Sequence, residues 1–300
     1  MQIQKMKNSL PKQKITILGH DNIDVDAFLS GILLSKLLNF LKIDNEFVIL
    51  EKVKENETYK IVKELFNIDM KKWEKVSEDG NRNLFLEDHF ETTHLGKIVG
   101  CIDHHPTAKK IEYKYQYRRN SCASAYLIYE IMQHEGYQLT KEDAKMVIVA
   151  MMVDTTSFRN SKTIYEEVKI AKKLAEKYSL EYEKLLKYCL CITPIENMEI
   201  KDIVENGKKH YNYAGTKVES AYIQVYGMPD ENTINCWLEY LQESIAISNV
   251  KLKVFIIYET KTNKTIEYRV SSKKISITAH DGVLSRGKDI MPKIEKMFLK

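Results

Sequence analysis

The sequence predicts an α/β protein, with a doubly wound, mainly parallel sheet followed by a smaller α/β domain. Three observations carry that expectation. Up to Leu190, short apolar runs of strand length alternate with segments of helical spacing, as crossover-connected parallel strands do. Three of those runs deliver acidic and histidine residues at their ends, two of them directly, the kind of sheet edge where ligands bind. After Thr193-Pro194, where proline ends helical continuation, the pattern changes character. The expected division is therefore a first domain over residues 1–192, a linker over 193–197 and a second domain over 198–300.

Ile15 to Leu18 form an apolar strand that turns at Gly19, and an apolar helix opens at Ala27 and runs to Leu41. Taken alone, Asp26 reads as the cap of that helix. Glu46–Leu50 is a second strand and Thr58–Phe66 a helix with one apolar face. The polar stretch Ser77–Asn83 precedes two short strands, Leu84–Leu86 and Lys97–Ile102. These run into Glu87-Asp88-His89 and Asp103-His104-His105. Ser121–His134 is a helix, and Thr140-Lys141-Glu142-Asp143 is a capping-box pattern that starts another, ending at Asp154. Ile164–Leu190 reads as two helices broken near Tyr178-Ser179. Beyond the boundary, Ile200–Lys209 and Asn232–Ile247 read as helices, and Val218–Tyr226, Lys251–Tyr258 and Thr265–Val270 as strands. The chain finishes on a short basic helix.

Composition narrows the function. The 46 basic and 42 acidic residues leave a formal charge of only +4 and are dispersed, so neither nucleic acid nor a membrane surface is called for. The basic start, Met1 to Lys14, has no apolar signal core, and the longest apolar run, Met146–Val153, is too short to span a bilayer, so the expected location is cytoplasmic. Cys101, Cys122, Cys189, Cys191 and Cys236 are an odd set without a two-residue-spaced pair, which argues against a disulfide framework or a zinc knuckle. Arg118 and Arg119 read as surface cations.

The chemistry gathers at His20, Asp24, Asp26, Asp88, His104, His105 and Asp154, each at the expected end of a regular element. Carboxylates mixed with imidazoles suit a hard to borderline divalent cation, Mn2+ or Mg2+ before zinc. So many donors suggest two ions sharing a carboxylate, an arrangement that activates water against a phosphate ester or anhydride.

These residues resemble the four signature motifs of the DHH phosphoesterase superfamily: His20 with Asp24 and Asp26, Asp88 after a strand, the Asp103-His104-His105 triplet, and Asp154-Thr155 before Phe158. Within it, Asp88-His89-Phe90-Glu91 resembles the Asp-His-Asn-Glu of manganese-dependent, family II inorganic pyrophosphatases. Ser285-Arg286-Gly287-Lys288 resembles their Ser-Arg-Lys signature in a DHHA2-type second domain. The histidine-ended glycine motif of the oligonucleotide-cleaving branch is not visible.

The resemblance implies a homodimeric hydrolase that converts pyrophosphate to two phosphates with two divalent ions, Mn2+ preferred and Mg2+ or Co2+ possible. It implies that His20, Asp24 and Asp88 hold one ion and Asp26, Asp88, His104 and Asp154 the other, with Asp88 bridging and the attacking water between them. His105 faces the substrate phosphate, Asp103 orients the histidines, and Lys209 and Arg286 are phosphate-gripping cations, with Lys288 and Arg159 as further contacts. Ile23, Val25, Ala27, Phe90 and Val153 depart from the family pattern without removing a ligand. Gly287, where the signature has lysine, leaves room for a short-chain polyphosphatase or nucleotide phosphohydrolase. A metal-binding regulator without turnover is the reading from another class.

Overall fold

The computed structural model describes residues 6–75, 80–105, 112–190, 195 and 198–298, the side chain of Lys288 excepted. The chain divides into two compact units, Met1–Phe158 with Lys162–Cys189, and Arg159–Ser161 with Leu190–Lys300. Of the expected linker, residues 193, 194, 196 and 197 lie outside the described residues, as do residues 77–79 of the polar stretch and Cys191.

The first unit runs α1 (Met6–Ser9), β1 (Ile15–Leu18), α2 (Val25–Phe40), β2 (Asn45–Val48), α3 (Glu57–Phe66), β3 (Asn83–Glu87), β4 (Lys97–Asp103), β5 (Tyr115–Arg118), α4 (Ser124–Glu135), α5 (Lys141–Asp154), α6 (Tyr165–Lys177) and α7 (Tyr182–Leu190). Its five strands pair in the order β2-β1-β3-β4-β5, all parallel. Helix α2 is apolar on nearly every side because it is enclosed, with β1 to β3, α4 and α5 against it. Gly31 permits the close approach, since a Cβ there would come within 2.3 Å of the Phe47 ring. The other sheet face buries Leu18, Val48, Leu84, Leu86 and Cys101. Thr140 and Asp143 form the expected capping box at α5, and the Asp143 carboxylate also accepts from Lys36 at 2.5 Å. Strand β5 is an addition to the sequence reading.

The second unit runs α8 (Ile200–Val204), β6 (Lys209–Tyr213), β7 (Thr216–Val225), α9 (Glu231–Ala246), β8 (Leu252–Glu259), β9 (Lys264–Val270), β10 (Ile275–Asp281) and α10 (Met291–Phe298). The sheet order is β10-β9-β8-β7-β6. Only β7 and β8 are parallel, which requires a crossover, and α9 supplies it. Trp237, Leu241, Phe255 and Tyr268 lie in the core on one face of the sheet, and Val254, Ile256, Met291 and Ile294 pack together in a second cluster. Helix α8 stops well short of the expected Lys209 because Gly207 takes a left-handed φ of 55° and the chain re-emerges as β6. No helix among the described residues is long and apolar enough to cross a membrane.

Candidate metal centre

Strands β1, β3 and β4 are parallel neighbours, so their carboxyl ends open on one edge of the sheet. His20 follows β1, Asp88 follows β3, and His104 and His105 follow β4. Two helices complete the set. Asp24 caps α2, its Oδ1 accepting the Ala27 N–H at 2.9 Å, and Asp154 is the last residue of α5. The capping reading of Asp26 is thereby corrected: Asp24 is the cap, and Asp26 sits within the first turn, buried.

Three groups of ligand atoms result, each within 4.8 Å: His20 with Asp24 and Asp88, Asp26 with His104 and Asp154, and Asp88 with His104 and His105. Asp88 stands at the junction. Its Oδ2 lies 3.5 Å from His20 Nε2, and its Oδ1 lies 3.3 Å from His104 Nε2 and 3.7 Å from His105 Nδ1. Its backbone has a left-handed φ of 60°, a conformation aspartate tolerates at a cost and which concentrates at functional sites.

The imidazoles are oriented for a cation. A backbone carbonyl can only accept, so His20 Nδ1–H donates to Asp21 O (2.8 Å) and His104 Nδ1–H to Ser121 O (3.0 Å). That turns each Nε2 toward the carboxylates, and His104 Nε2 is buried with no hydrogen-bond partner among the described residues. A buried, unpartnered nitrogen facing carboxylates fits a divalent ion.

The electrostatics are those of a crowded anionic site. Burial, followed by the Asp88 charge, pushes Asp26 well above the usual carboxylate range. Burial alone opposes charging His20 and His104, yet hydrogen bonds to Asp24 and Asp88 hold His20 up to about 12. The neighbouring carboxylates of Asp88, Asp26 and Asp154 hold His104 up to about 10. Asp88 is driven well below its ordinary value by the same two imidazoles, against the opposing effect of its burial.

Outer contacts fix the ligands. The Asp26 carboxylate accepts the Ser124 and Ala125 N–H groups at 2.7 and 3.0 Å at the start of α4, and Ser30 Oγ at 3.1 Å. The positive end of a helix dipole thus stabilises a buried carboxylate. Ser124 Oγ donates to Asp88 Oδ1 at 2.8 Å. Asp103 holds His105, accepting both its N–H (3.1 Å) and its Nδ1–H (2.9 Å), whereas His104 is oriented by the Ser121 carbonyl. Arg118 grips the other Asp103 oxygen through Nε and Nη2 at 3.1 and 2.9 Å and lies over the Phe90 ring. Arg118 and Arg119 are therefore not loose surface cations, since Arg119 pairs with Glu130 and Glu167 at 2.7 Å. Sequence reasoning also missed Lys162, whose Nζ reaches Asp154 Oδ1 and Oδ2 at 2.7 and 2.8 Å. A lone lysine eight residues beyond its partner leaves no motif to read.

Glu87, at the end of β3, is fully buried, and neither carboxyl oxygen has a hydrogen-bond partner among the described residues. A Cβ on Gly19 would come within 2.8 Å of its Oε1, so the glycine lets the turn pack closely above it. Burial, then the Asp88 and Asp26 charges, pushes Glu87 well above its ordinary value of 4.5. Replacing it with methionine should stabilise the protein by about 1–3 kcal/mol, the cost of a buried unpaired polar group. The folded chain binds a proton that the unfolded chain releases, so wild-type stability falls as pH rises above 4.5 and the advantage of Glu87→Met grows. Thermal midpoints at pH 5 and pH 8 check this, and a variant less stable at both would show that the carboxyl is satisfied.

In the second unit, Arg286 begins a π-helical turn, Arg286–Ile290, and its Nη1 donates to the Gly207 carbonyl, two residues before Lys209 on β6. Lys209 is exposed and Arg286 half-buried. Gly287 is exposed, with open space where a Cβ would stand. The side chain of Lys288 lies outside the described residues. Arg159 Nη1 donates to Thr260 O at 2.6 Å and approaches Tyr258 Oη at 3.4 Å.

Comparison with known proteins gives the following likenesses. Residues 14–155 match the DHH family, N-terminal domain. A manganese-dependent inorganic pyrophosphatase of Bacillus subtilis is 22% identical over 302 residues, covering 93% of this chain and 97% of its own. A probable manganese-dependent inorganic pyrophosphatase of Bacillus licheniformis is 23% identical over 304 residues, with coverage of 93% and 97%. The crystal structure of a putative family II inorganic pyrophosphatase from Methanococcus jannaschii shares the fold, with a TM-score of 0.66 at 21% identity over 95% of this chain and 100% of that one. Residues 14–155 are accordingly a DHH family N-terminal domain, in a chain that resembles manganese-dependent inorganic pyrophosphatases along nearly its whole length.

Proposed function

We propose that this protein is a metal-dependent phosphoanhydride hydrolase whose substrate is inorganic pyrophosphate. One observation carries the reading: the two oxygens of Asp88 face two separate imidazole Nε2 atoms, each held in place by a carbonyl behind it. His20, Asp24 and Asp88 are assigned to one divalent ion, and Asp26, Asp88, His104 and Asp154 to the other. Manganese is preferred, in line with the names of the relatives, and Mg2+ or Co2+ is an alternative. Two such ions, when bound, would supply neutralisation of phosphate charge and activation of water for attack at phosphorus.

The chain's own residues do the rest. His105, with Nδ1 fixed on Asp103, keeps Nε2 for a phosphate oxygen, and Arg118 keeps Asp103 in position. Lys209 and Arg286, with Lys288 and Arg159, are the proposed phosphate-binding cations, arginine by a bidentate grip and lysine as a point charge. In domain terms, residues 1–192 are the metal-binding catalytic domain and 198–300 a DHHA2-type substrate domain. The reading includes a cytoplasmic homodimer, the dimer by family resemblance alone.

Gly287 favours a second reading. Without a side chain where the Ser-Arg-Lys signature has lysine, the site gives up one charge-assisted contact, worth about 1.5–3 kcal/mol, and a tripolyphosphate or nucleotide is then less disfavoured. Phosphate release from pyrophosphate, tripolyphosphate and a dinucleotide with Mn2+ or Co2+ decides. Pyrophosphate is expected to be fastest. Faster release from tripolyphosphate selects the second reading, and no release from any of them with two ions bound leaves a metal-binding regulator.

A further inference from the structure

One ammonium group stands inside the centre without belonging to any of its motifs. Lys162 Nζ lies 2.7 and 2.8 Å from the two oxygens of Asp154. Asp154 is one of three residues, with Asp26 and His104, whose ligand atoms gather within 4.8 Å. We propose that Lys162 is the resident cation of this second position, holding Asp154 in the metal-free protein and competing with the divalent ion that enters there. The proposal rests on the two-ion reading above and adds an order of loading to it.

The two ligand groups are not equivalent. Among the described residues, the ion pairs of Asp24 and Asp88 are all with histidines, so no lysine or arginine is paired into the His20–Asp24–Asp88 group. At the other group the ammonium takes both Asp154 oxygens. A divalent ion must win one of them from Lys162 and do so next to a positive charge that repels it. The first ion therefore enters at His20, Asp24 and Asp88. The second enters at Asp26, His104 and Asp154 with lower affinity.

The loop is built to return this lysine to Asp154. Thr156, Ser157 and Phe158 have consecutive left-handed φ angles of 52°, 53° and 63°, a run that L-residues rarely adopt. Thr155 Oγ1 holds the turn, donating to Met151 O and accepting the Phe158 N–H at 2.9 Å, and Ser157 Oγ donates to Leu186 O. The Lys162 side chain is 38% exposed, so it can swing outward when an ion takes its place.

The test is a Mn2+ titration of the chelator-stripped full-length protein by calorimetry, with free Mn2+ counted by electron paramagnetic resonance. Wild type is compared with Lys162→Met, which keeps the stem and removes the charge, and Lys162→Arg, which keeps the charge. Lys162→Gln replaces the methionine variant if that one does not fold. Wild type should show two phases. In Lys162→Met the weaker phase should tighten by about tenfold, the scale of one charged hydrogen bond, with the tighter phase unchanged and the arginine variant resembling wild type. A weaker phase that is unchanged or loosened in Lys162→Met overturns the proposal and leaves the two-ion reading standing. Failure of both proteins to take up a second ion overturns the two together.

Discussion

Asp88→Asn should lower turnover by on the order of a thousandfold or more and should empty both ion positions together. The choice of asparagine separates chemistry from backbone. Asp88 sits at a φ of 60°, where alanine would add strain, while asparagine is among the residues most at ease there. Its amide keeps the shape and can still accept from Ser124 Oγ, so the fold around the start of α4 should survive. What it loses is the second carboxylate oxygen and the charge. Asp88 Oδ2 serves the His20 side and Oδ1 the His104 side, so a single amide oxygen can face only one of them. Metal content by inductively coupled plasma mass spectrometry checks the outcome beside phosphate release. One ion retained at wild-type affinity would show that Asp88 is not shared between the two positions.

That junction was legible in the sequence because of where regular elements stop. His20, Asp88 and His104 each follow an apolar run short enough to be a buried strand, and parallel neighbours must bring those ends to one edge. Asp154 was legible through the capping box that fixed where α5 begins. The strands that escaped notice are held by pairing rather than by an apolar stripe of their own. Strand β5 alternates buried Tyr115 and Tyr117 with polar partners over only four residues, and β10 is an edge strand leaving Ile277 61% exposed. The contacts that escaped notice are long-range pairs of ordinary residues: Arg118 on Asp103, the α4 amides on Asp26, and Lys162 on Asp154. None has a spacing that distinguishes it from a solvated surface pair. Asp26 shows the other failure, since an acid at the start of a helix has two common roles and only burial separates them.

Binding of Mn2+ should expel at least two protons from this centre, and its pH dependence should be correspondingly steep. In the metal-free protein the carboxylates hold His20 charged up to about 12 and His104 up to about 10, so both imidazoles carry their extra proton at neutral pH. A cation needs the Nε2 lone pair of each, which the proton occupies. Each proton displaced makes the metal equilibrium tenfold more favourable per pH unit, so the product of the two binding constants should rise by about a hundredfold per unit between pH 6 and pH 8. Asp26, raised by its burial, adds to the slope wherever it is still protonated. Without metal the sign reverses. A histidine raised in the fold stabilises it fully below its ordinary value of 6.5, and that contribution is lost as pH climbs through about 10 and then about 12. Alkaline conditions should therefore destabilise the metal-free protein while tightening its grip on Mn2+. Calorimetric titrations in buffers of different ionisation enthalpy count the protons released. Their absence would mean that the imidazoles are already neutral and that the carboxylates around them carry less charge than their geometry implies.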